Sequence, residues 1–258
     1  MPADPVTGFL PFVRRWFQAA FAEPTRPQRE GWPAIASGRD TLVVAPTGSG
    51  KTLAAFLWAL DHLHRLALEG RLEDRVYVVY VSPLRALNND IEKNLREPLA
   101  GIRAAAAVDG LHLPEVRVAV RTGDTLAAQR QAMTRRPPHV LITTPESLYI
   151  LLTAERFRPA LAQARFVIVD EVHALMGNKR GAHLALSLER LQALVKAGPA
   201  GGRPQRIGCS ATVRPVEEAL AFLTGASGSE PIVVDAGFSR ELDLQVMAPV
   251  DDFLTSPS

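Results

Sequence analysis

The chain has 258 residues, of which 47% are hydrophobic and 22% are charged, proportions that exclude a disordered, collagen-like or coiled-coil protein. Its formal charge is only +2, so binding to a polyanion such as nucleic acid would have to depend on local contacts. No run of 18 apolar residues occurs, and Cys209, the single cysteine, cannot form an internal disulfide. The composition therefore predicts a folded cytoplasmic protein with no membrane partner.

The first predicted element is an amphipathic helix, because large apolar side chains recur at helical spacing between Phe9 and Phe21. After it, short runs rich in β-branched residues alternate with longer helical patterns. Several of these runs are apolar on both faces, as in a mostly parallel sheet that helices cover on both sides. The predicted fold class is thus α/β. The predicted strands are Thr41–Ala45, Val76–Val81, Val116–Arg121, Val140–Thr143, Phe166–Asp170, Arg206–Cys209 and Ile232–Val234, and the predicted helices are Leu53–Leu68, Leu84–Leu95, Leu126–Thr134, Leu148–Leu152, Ala182–Val195 and Pro215–Leu223.

A glycine-rich segment, Ala45-Pro-Thr-Gly-Ser-Gly-Lys-Thr52, lies between the first predicted strand and a helix, which is the context of a phosphate-binding P-loop. Its glycines allow backbone N–H groups to surround phosphate oxygens at a helix N-terminus. Lys51 is expected to reach the β- and γ-phosphates, and the Thr52 hydroxyl is a suitable ligand for Mg²⁺. The leading glycine of the general pattern is here Ala45. The nucleotide-binding residues predicted in this segment are Thr47, Gly48, Ser49, Gly50, Lys51 and Thr52.

A pair of acidic residues follows the strand predicted at Phe166–Asp170. Asp170 is expected to hold Mg²⁺, partly through water, and Glu171 to polarise the water that attacks the nucleotide. An acidic pair at a strand end is usually only a solvated surface feature, but together with a P-loop it predicts ATP hydrolysis. The predicted catalytic residues are Lys51, Asp170, Glu171 and His173.

With these two motifs the sequence resembles the superfamily 2 DExH-box helicases, whose acidic box stands here as Asp170-Glu-Val-His173. Phe21-Ala-Glu-Pro-Thr-Arg-Pro-Gln28 matches the segment that recognises adenine in that superfamily, with Gln28 able to pair with one donor and one acceptor of a base. The resemblance implies a RecA-like P-loop NTPase domain that binds ATP and Mg²⁺. It also implies nucleotide contacts for Phe21, Thr25 and Gln28.

Three segments resemble those that track nucleic acid in these enzymes, and each begins where a predicted strand ends. Strand ends that precede helices can present N–H groups and hydroxyls to phosphates without reading the bases. The same segments read equally well as ordinary helix starts. The residues that the resemblance assigns to nucleic acid are Pro83, Arg85, Arg121, Thr122, Gly123, Thr144, Pro145 and Glu146, and those it assigns to coupling between ATP and strand separation are Ser210, Ala211 and Thr212.

Within the superfamily, four strings resemble the large helicase-related (Lhr) family: Arg85-Ala-Leu-Asn-Asn-Asp90, Arg121-Thr-Gly-Asp-Thr125, Gly177-Asn-Lys-Arg-Gly181 and Val234-Asp-Ala-Gly-Phe-Ser-Arg-Glu-Leu-Asp-Leu244. This resemblance implies a nucleoid-associated, DNA-activated ATPase that moves 3′ to 5′ on single-stranded DNA, unwinds RNA:DNA hybrids and serves DNA repair. A DEAD-type RNA helicase is the alternative within the same enzyme class. A passive module that binds ATP or nucleic acid without powered movement is the alternative outside it.

The predicted organisation is a helical segment over 1–40 that carries the adenine motif and belongs to the same domain, a RecA-like domain over 41–245, and the start of an interdomain linker over 246–258. Motors of this superfamily close their ATP cleft with a second RecA-like domain, whose arginine fingers contribute about 10³ to 10⁵ in rate. No Gln-x-x-Gly-Arg-x-Gly-Arg string follows Thr212. We therefore expect this chain to bind ATP·Mg, to hydrolyse it very slowly, and to need that second domain as a partner.

Overall fold

The computed structural model describes residues 5–83, 85–199, 201–211, 213–225 and 230–237, and for residues 85–90, 92 and 93 it describes the backbone only. Thr212 and the linker predicted over 246–258 lie outside the described residues. The strands are β1 (Thr41–Val44), β2 (Val78–Val81), β3 (Val118–Arg121), β4 (Val140–Thr143), β5 (Phe166–Val169), β6 (Gln205–Ser210) and β7 (Ile232–Asp235). The helices are α1 (Pro11–Ala20), α2 (Arg26–Ala36), α3 (Lys51–Leu68), α4 (Arg85–Val108), α5 (Ala127–Arg135), α6 (Pro145–Thr153), α7 (Arg158–Leu161), α8 (Val172–Leu175), α9 (Lys179–Lys196) and α10 (Val216–Thr224).

The seven strands form one sheet in the order β3-β4-β2-β5-β6-β1-β7. Every pairing is parallel, so the predicted α/β class with a parallel sheet is confirmed. Because parallel strands all end on the same side, the chain turns that follow the strands meet along one carboxyl edge. In the register of the sheet, Val81 at the end of β2 lies between Thr143 of β4 and Val169 of β5.

Helices cover both faces of the sheet, as the apolar strands predict. Alternate residues of a strand point to opposite faces. Val78 and Tyr80 belong to a core with residues of α3 and α4, whereas Val79 and Val81 belong to a core with residues of α6, α9 and α10. In the described part of the chain, none of the helices combines the length and apolar character that a membrane crossing needs.

The predicted N-terminal amphipathic helix is present as α1, and it buries Phe12, Val13 and Phe17. The Trp32 ring of α2 meets the ring of Phe17 edge-on, with 5.1 Å between centroids. Helix α4 extends thirteen residues beyond its predicted end at Leu95, through Pro98. A proline normally ends a helix, but contact with α1 buries Ile102 and Ala106 and keeps α4 helical.

Two buried histidines predict a loss of stability in acid. Burial lowers the pKa of His64 and of His139 from 6.5 to about 4, and the ring of His139 accepts a hydrogen bond from the backbone N–H of Arg117 (3.0 Å). An unfolded histidine takes up a proton near pH 6.5, so the free energy of unfolding should fall as pH drops from 6.5 to 4, by at most about 3 kcal/mol for each ring.

Urea unfolding at a series of pH values measures this effect. His64→Leu should make the fall between pH 6.5 and 4.5 smaller. His112→Gln, a change at an exposed histidine, should leave the fall as it is. An unchanged profile for His64→Leu would show that the buried ring does not control acid stability.

Candidate active site

The strand order divides the carboxyl edge of the sheet into two halves. The predicted P-loop follows β1, the acidic pair follows β5, and the predicted coupling segment begins at the end of β6. These three strands are neighbours in the sheet, and only β6 separates β1 from β5. The segments predicted to contact nucleic acid follow β2, β3 and β4, which are also neighbours; we call this half the nucleic-acid edge. Lys51 and Asp170 are far apart in the sequence, and this order brings them to the same side of the molecule.

A cavity of about 610 Å³ lies at the β1 and β5 end of this edge. Predicted site residues from three separate segments line it: Phe21, Thr25, Gln28, Thr47, Gly48, Gly50, Lys51, Thr52, Asp170 and Glu171. Residues that the sequence interpretation did not assign also line it: the apolar Leu53, Phe56, Ile91 and Leu95, and the polar Glu23 and Asn94. The predicted residues Ser49, His173, Ser210 and Ala211 are not among the lining residues.

The P-loop turn has a backbone that favours glycine at two positions. Gly48 and Gly50 have φ values of +78° and +86°, in the left-handed region. At Gly50 a Cβ atom would also lie 2.8 Å from Nε2 of Gln28, so a side chain there would displace the Gln28 amide. The turn therefore needs Gly50 for both its conformation and its packing.

Gln28 connects α2 to the P-loop and is 3% exposed. Its Oε1 accepts a hydrogen bond from the backbone N–H of Thr25 (2.9 Å), and its Nε2 donates to the carbonyl of Gly50 (3.4 Å). A glutamine amide has two N–H donors and two acceptor lone pairs. One donor and one acceptor thus remain for a ligand in the cavity, which is the set that recognition of one base edge requires.

Lys51 is buried at the start of α3, with 4% of its surface exposed. Among the described residues its ammonium has no ion-pair partner, and the hydroxyl of Ser49 beside it is buried without a hydrogen bond. A buried cation without a counter-charge is costly, so this arrangement suits an anionic ligand. The N-terminus of α3 adds the partial positive charge of its free N–H groups. These groups fit the phosphates of a nucleotide.

Asp170 directly follows β5 and is held from two sides. Its Oδ2 accepts a hydrogen bond from the Tyr80 hydroxyl, and its Oδ1 accepts one from the backbone N–H of Glu171 (2.9 Å). Tyr80 is fully buried and stacks on Phe56 with 4.9 Å between ring centroids. Burial, followed by the nearby Asp170 carboxylate, raises the pKa of Tyr80, so its hydroxyl stays a donor. The Asp170 carboxylate and the Thr52 hydroxyl line the same cavity and are oxygen ligands of the kind that Mg²⁺ prefers.

Glu171 has a φ of +50°, and it is the only residue other than glycine with a positive φ in the described ranges. Such a conformation is uncommon for a side chain with a Cβ atom and often accompanies function. His173 places Nδ1 at 3.4 Å from the Glu171 carboxylate and at 3.2 Å from the Ser210 hydroxyl. The Ser210 carbonyl in turn accepts a hydrogen bond from the backbone N–H of Ala45 (3.0 Å). The predicted coupling segment therefore connects the acidic box with the P-loop.

At the nucleic-acid edge most of the predicted contact side chains are buried. The Arg121 guanidinium is 7% exposed and donates to the carbonyl of Thr122, so its charge faces its own loop and not the solvent. Thr144 caps α6 by accepting a hydrogen bond from the backbone N–H of Ser147 (3.4 Å). Pro83, Thr122 and Pro145 are also buried, whereas Gly123 and Glu146 are exposed; the side chain of Arg85 lies outside the described residues. This edge offers mainly backbone groups at the starts of α4 and α6.

The sequence interpretation missed Tyr80, which contacts Asp170. For Arg180, which contacts Glu146, it left open a contact with DNA or with a partner domain. Tyr80 lies inside an apolar strand and looks like an ordinary core residue there. Arg180 lies in a charged turn where a guanidinium is usually solvated. Neither position has a local sequence signal, because the partner of each comes from a distant segment.

Residues 25–219 match the DEAD/DEAH box helicase family, and the chain belongs to this family. The sequence is similar to the ATP-dependent helicase Lhr-Core of Methanothermobacter thermautotrophicus, with 53% identity over 95% of this chain and 28% of the relative. It is also 53% identical to the Lhr helicase/probable uracil glycosylase of Mycolicibacterium smegmatis, over 97% of this chain and 16% of that protein. The chain thus spans less than a third of the length of these relatives.

Among solved structures, the fold is similar to the Mycobacterium smegmatis helicase Lhr bound to ssDNA and AMP-PNP, with a TM-score of 0.84 and 50% identity over 99% of this chain and 31% of that one. The DEAD-box helicase Mss116p, bound to ssRNA and AMP-PNP, has a TM-score of 0.72 at 17% identity, over 88% of this chain and 42% of its own, which shows the fold alone. These similarities confirm the RecA-like fold and the predicted resemblance to Lhr helicases.

Proposed function

We propose that this chain is the ATP-binding motor domain of an Lhr-type helicase that acts on single-stranded DNA or RNA:DNA hybrids. One observation carries the proposal: the P-loop and the acidic pair after β5 line one cavity, together with the adenine segment. The similarity to a helicase bound to ssDNA and AMP-PNP over 99% of the chain supports it. A role in DNA repair, 3′ to 5′ movement and nucleoid association belong to the same proposal.

The nucleotide would lie across the cavity from Phe21 to Glu171. The Phe21 ring, 41% exposed and next to the ring of Phe17, offers a face on which a base can stack. Gln28 and Thr25 would hold the base edge. Lys51 would neutralise phosphate charge, assisted by the N–H groups of residues 47–52 at the start of α3.

Hydrolysis requires a water oriented toward the terminal phosphorus. Glu171 would hold this water and accept its proton as the new phosphorus–oxygen bond forms and the bond to the bridging oxygen breaks. A bound Mg²⁺, held by Thr52 and, partly through water, by Asp170, would neutralise charge on the phosphate oxygens. His173, within hydrogen-bond distance of both Glu171 and Ser210, would transmit the state of this site to the β6 end.

The second wall of the cleft would come from a second RecA-like domain that supplies arginine fingers. Without them, this chain should hydrolyse ATP about 10³- to 10⁵-fold more slowly than a complete motor. The nucleic acid would cross the nucleic-acid edge, where helix starts present N–H groups to phosphates and leave the bases unread.

Binding of labelled oligonucleotides to the chain tests the proposal. Fluorescence anisotropy should show Mg²⁺-dependent AMP-PNP binding, and ssDNA should bind at least as tightly as ssRNA of the same sequence. Binding of ssRNA alone would favour a DEAD-type RNA helicase. Loss of nucleotide binding altogether would contradict the assignment of the cavity.

Tyr80→Phe tests whether the hydrogen bond from the Tyr80 hydroxyl positions Asp170 as a ligand for Mg²⁺. The change removes only the hydroxyl that donates to Oδ2, so the ring still stacks on Phe56. We expect the extra nucleotide affinity that Mg²⁺ provides to fall about 10-fold or more, as for other residues that orient metal ligands, while affinity without Mg²⁺ stays the same. Titration of a fluorescent ATP analogue with and without Mg²⁺ measures both values. Tyr149→Phe, at an exposed tyrosine, is the matched control.

If Tyr80→Phe leaves the Mg²⁺ effect unchanged, the hydroxyl is structural only. An equal loss of affinity with and without Mg²⁺ would point to a disturbed cavity instead.

A further inference from the structure

One guanidinium joins two separate parts of the nucleic-acid edge. Arg180 donates from Nε to the Glu146 carboxylate (2.6 Å) and from Nη2 to the carbonyl of Pro83 (2.9 Å). Pro83 follows β2, and Glu146 lies in the first turn of α6, which follows β4. These two segments are neighbours at the edge because β2 and β4 pair directly.

The backbone beneath Arg180 is fixed by packing. At Gly181 a Cβ atom would lie 1.8 Å from the carbonyl oxygen of Leu175, so only glycine fits where α9 begins against the end of α8. Asn178 caps α9 by accepting a hydrogen bond from the backbone N–H of Gly181 (3.0 Å). Arg180 therefore extends from a rigid helix start, and the positions of its two partners follow from that start.

The contact also changes the charge of the edge. Among the predicted nucleic-acid residues whose burial is described, Glu146 is one of two that are exposed, and its carboxylate would repel a phosphate. The hydrogen bond from Arg180 lowers the pKa of Glu146, so the carboxylate is ionised and its charge is balanced by the guanidinium. Both side chains are nearly half exposed, at 46% and 47%, so the pair lies at the surface where a strand would pass.

We propose that Arg180 is a positioning residue for nucleic-acid binding: it holds the loop after β2 and the start of α6 at a fixed separation and neutralises Glu146 between them. Backbone N–H groups can bind successive phosphates only if the segments that carry them keep their spacing. The inference rests on the proposed function, since it concerns the strand that would cross this edge. It adds a residue that contacts the binding segments and that need not touch the ligand.

Hydrogen exchange tests, without any nucleic acid, whether Arg180 holds the loop after β2 and the start of α6 in place. In Arg180→Ala, amides in peptides covering 82–90 and 144–150 should exchange faster, while peptides within 184–195 should keep wild-type rates. Lys179→Ala is the matched control, because it removes a neighbouring charge that has no ion-pair or hydrogen-bond partner among the described residues. Equal exchange in the two variants would overturn the proposal.

Anisotropy with a fluorescein-labelled ssDNA, in the presence of AMP-PNP and Mg²⁺, tests the consequence. Arg180→Ala should weaken DNA binding about five- to tenfold, which is the scale of one exposed ion pair or one ordinary hydrogen bond, with ATP affinity unchanged. Arg180→Lys keeps the charge but cannot reach both partners as a fork, so it should be intermediate. A loss no larger than that of Lys179→Ala would overturn the proposal.

The direction in which Glu146→Ala changes DNA affinity shows whether Arg180 positions the two segments or only neutralises the Glu146 charge. If Glu146 is the partner through which Arg180 positions α6, the removal of its side chain should weaken DNA binding. The double variant with Arg180→Ala should then bind DNA no more weakly than Arg180→Ala alone. Tighter binding by Glu146→Ala would mean that Arg180 only screens a repulsive charge, and would overturn the proposal. If the wild-type chain bound no ssDNA, the proposed function would fail. Hydrogen exchange would still show whether Arg180 holds the two segments together.

Discussion

Glu171→Gln should leave ATP binding intact and lower turnover about 10²- to 10⁴-fold. The amide keeps the size of the side chain, and glutamine tolerates the left-handed backbone at this position no worse than glutamate, so the cavity should keep its shape. An amide cannot accept the proton of the attacking water, and that transfer is typically worth the stated factor. Phosphate release at saturating ATP measures turnover, and titration with a fluorescent ATP analogue measures affinity.

The control for this experiment is Glu155→Gln, which makes the same chemical change at an exposed position remote from the cavity lining. It should match the wild type in both measurements. Normal turnover by Glu171→Gln would remove Glu171 from the role of general base. A simultaneous loss of ATP affinity would indicate instead that the carboxylate helps to bind the nucleotide.

Lys51→Ala should reduce ATP affinity by about 10- to 150-fold, the range expected for a lost hydrogen bond to a charged group. The same change should not destabilise the ligand-free protein, because it removes the charge of a buried lysine that has no ion-pair partner among the described residues. Isothermal titration measures the affinity, and thermal unfolding without nucleotide measures the stability. The combination of weaker binding with equal or greater stability is characteristic of a cation that is buried for a ligand.

Lys196→Ala is the matched control, since this lysine is exposed at the end of α9 and lines no part of the nucleotide cavity. It should change neither measurement. Unchanged ATP affinity in Lys51→Ala would contradict the assignment of the segment 45–52 as a P-loop. A large loss of stability would show that Lys51 serves the fold.

Each strand of the sheet could be predicted because its signal is local. Buried parallel strands are runs of apolar β-branched residues, such as Val140–Thr143, and the observed ends lie within two residues of the predicted ones. Helices were predicted less completely. The four-residue helices α7 and α8 are too short to show a helical period, and α4 runs past Pro98 only because α1 packs on its second half.

The chemistry of the site was visible in the sequence for a similar reason. A P-loop needs glycines, a lysine and a hydroxyl in a short segment, and the acidic pair needs only a strand before it. The sequence did not show which of the predicted site side chains are buried. Arg121 looked like a phosphate contact, but its guanidinium is turned to the carbonyl of Thr122, because a buried polar side chain satisfies its donors within the protein where it can.

The sequence by itself determined the strands, the class of fold and the residue types that could bind a triphosphate, since these depend on neighbouring residues alone. The tertiary structure decided the order β3-β4-β2-β5-β6-β1-β7, and with it the meeting of Lys51 and Asp170 across one cavity. It also decided the contacts of Tyr80 with Asp170 and of Arg180 with Glu146 and Pro83. Such contacts join segments that are tens of residues apart, and their free energy depends on distances that no local pattern encodes.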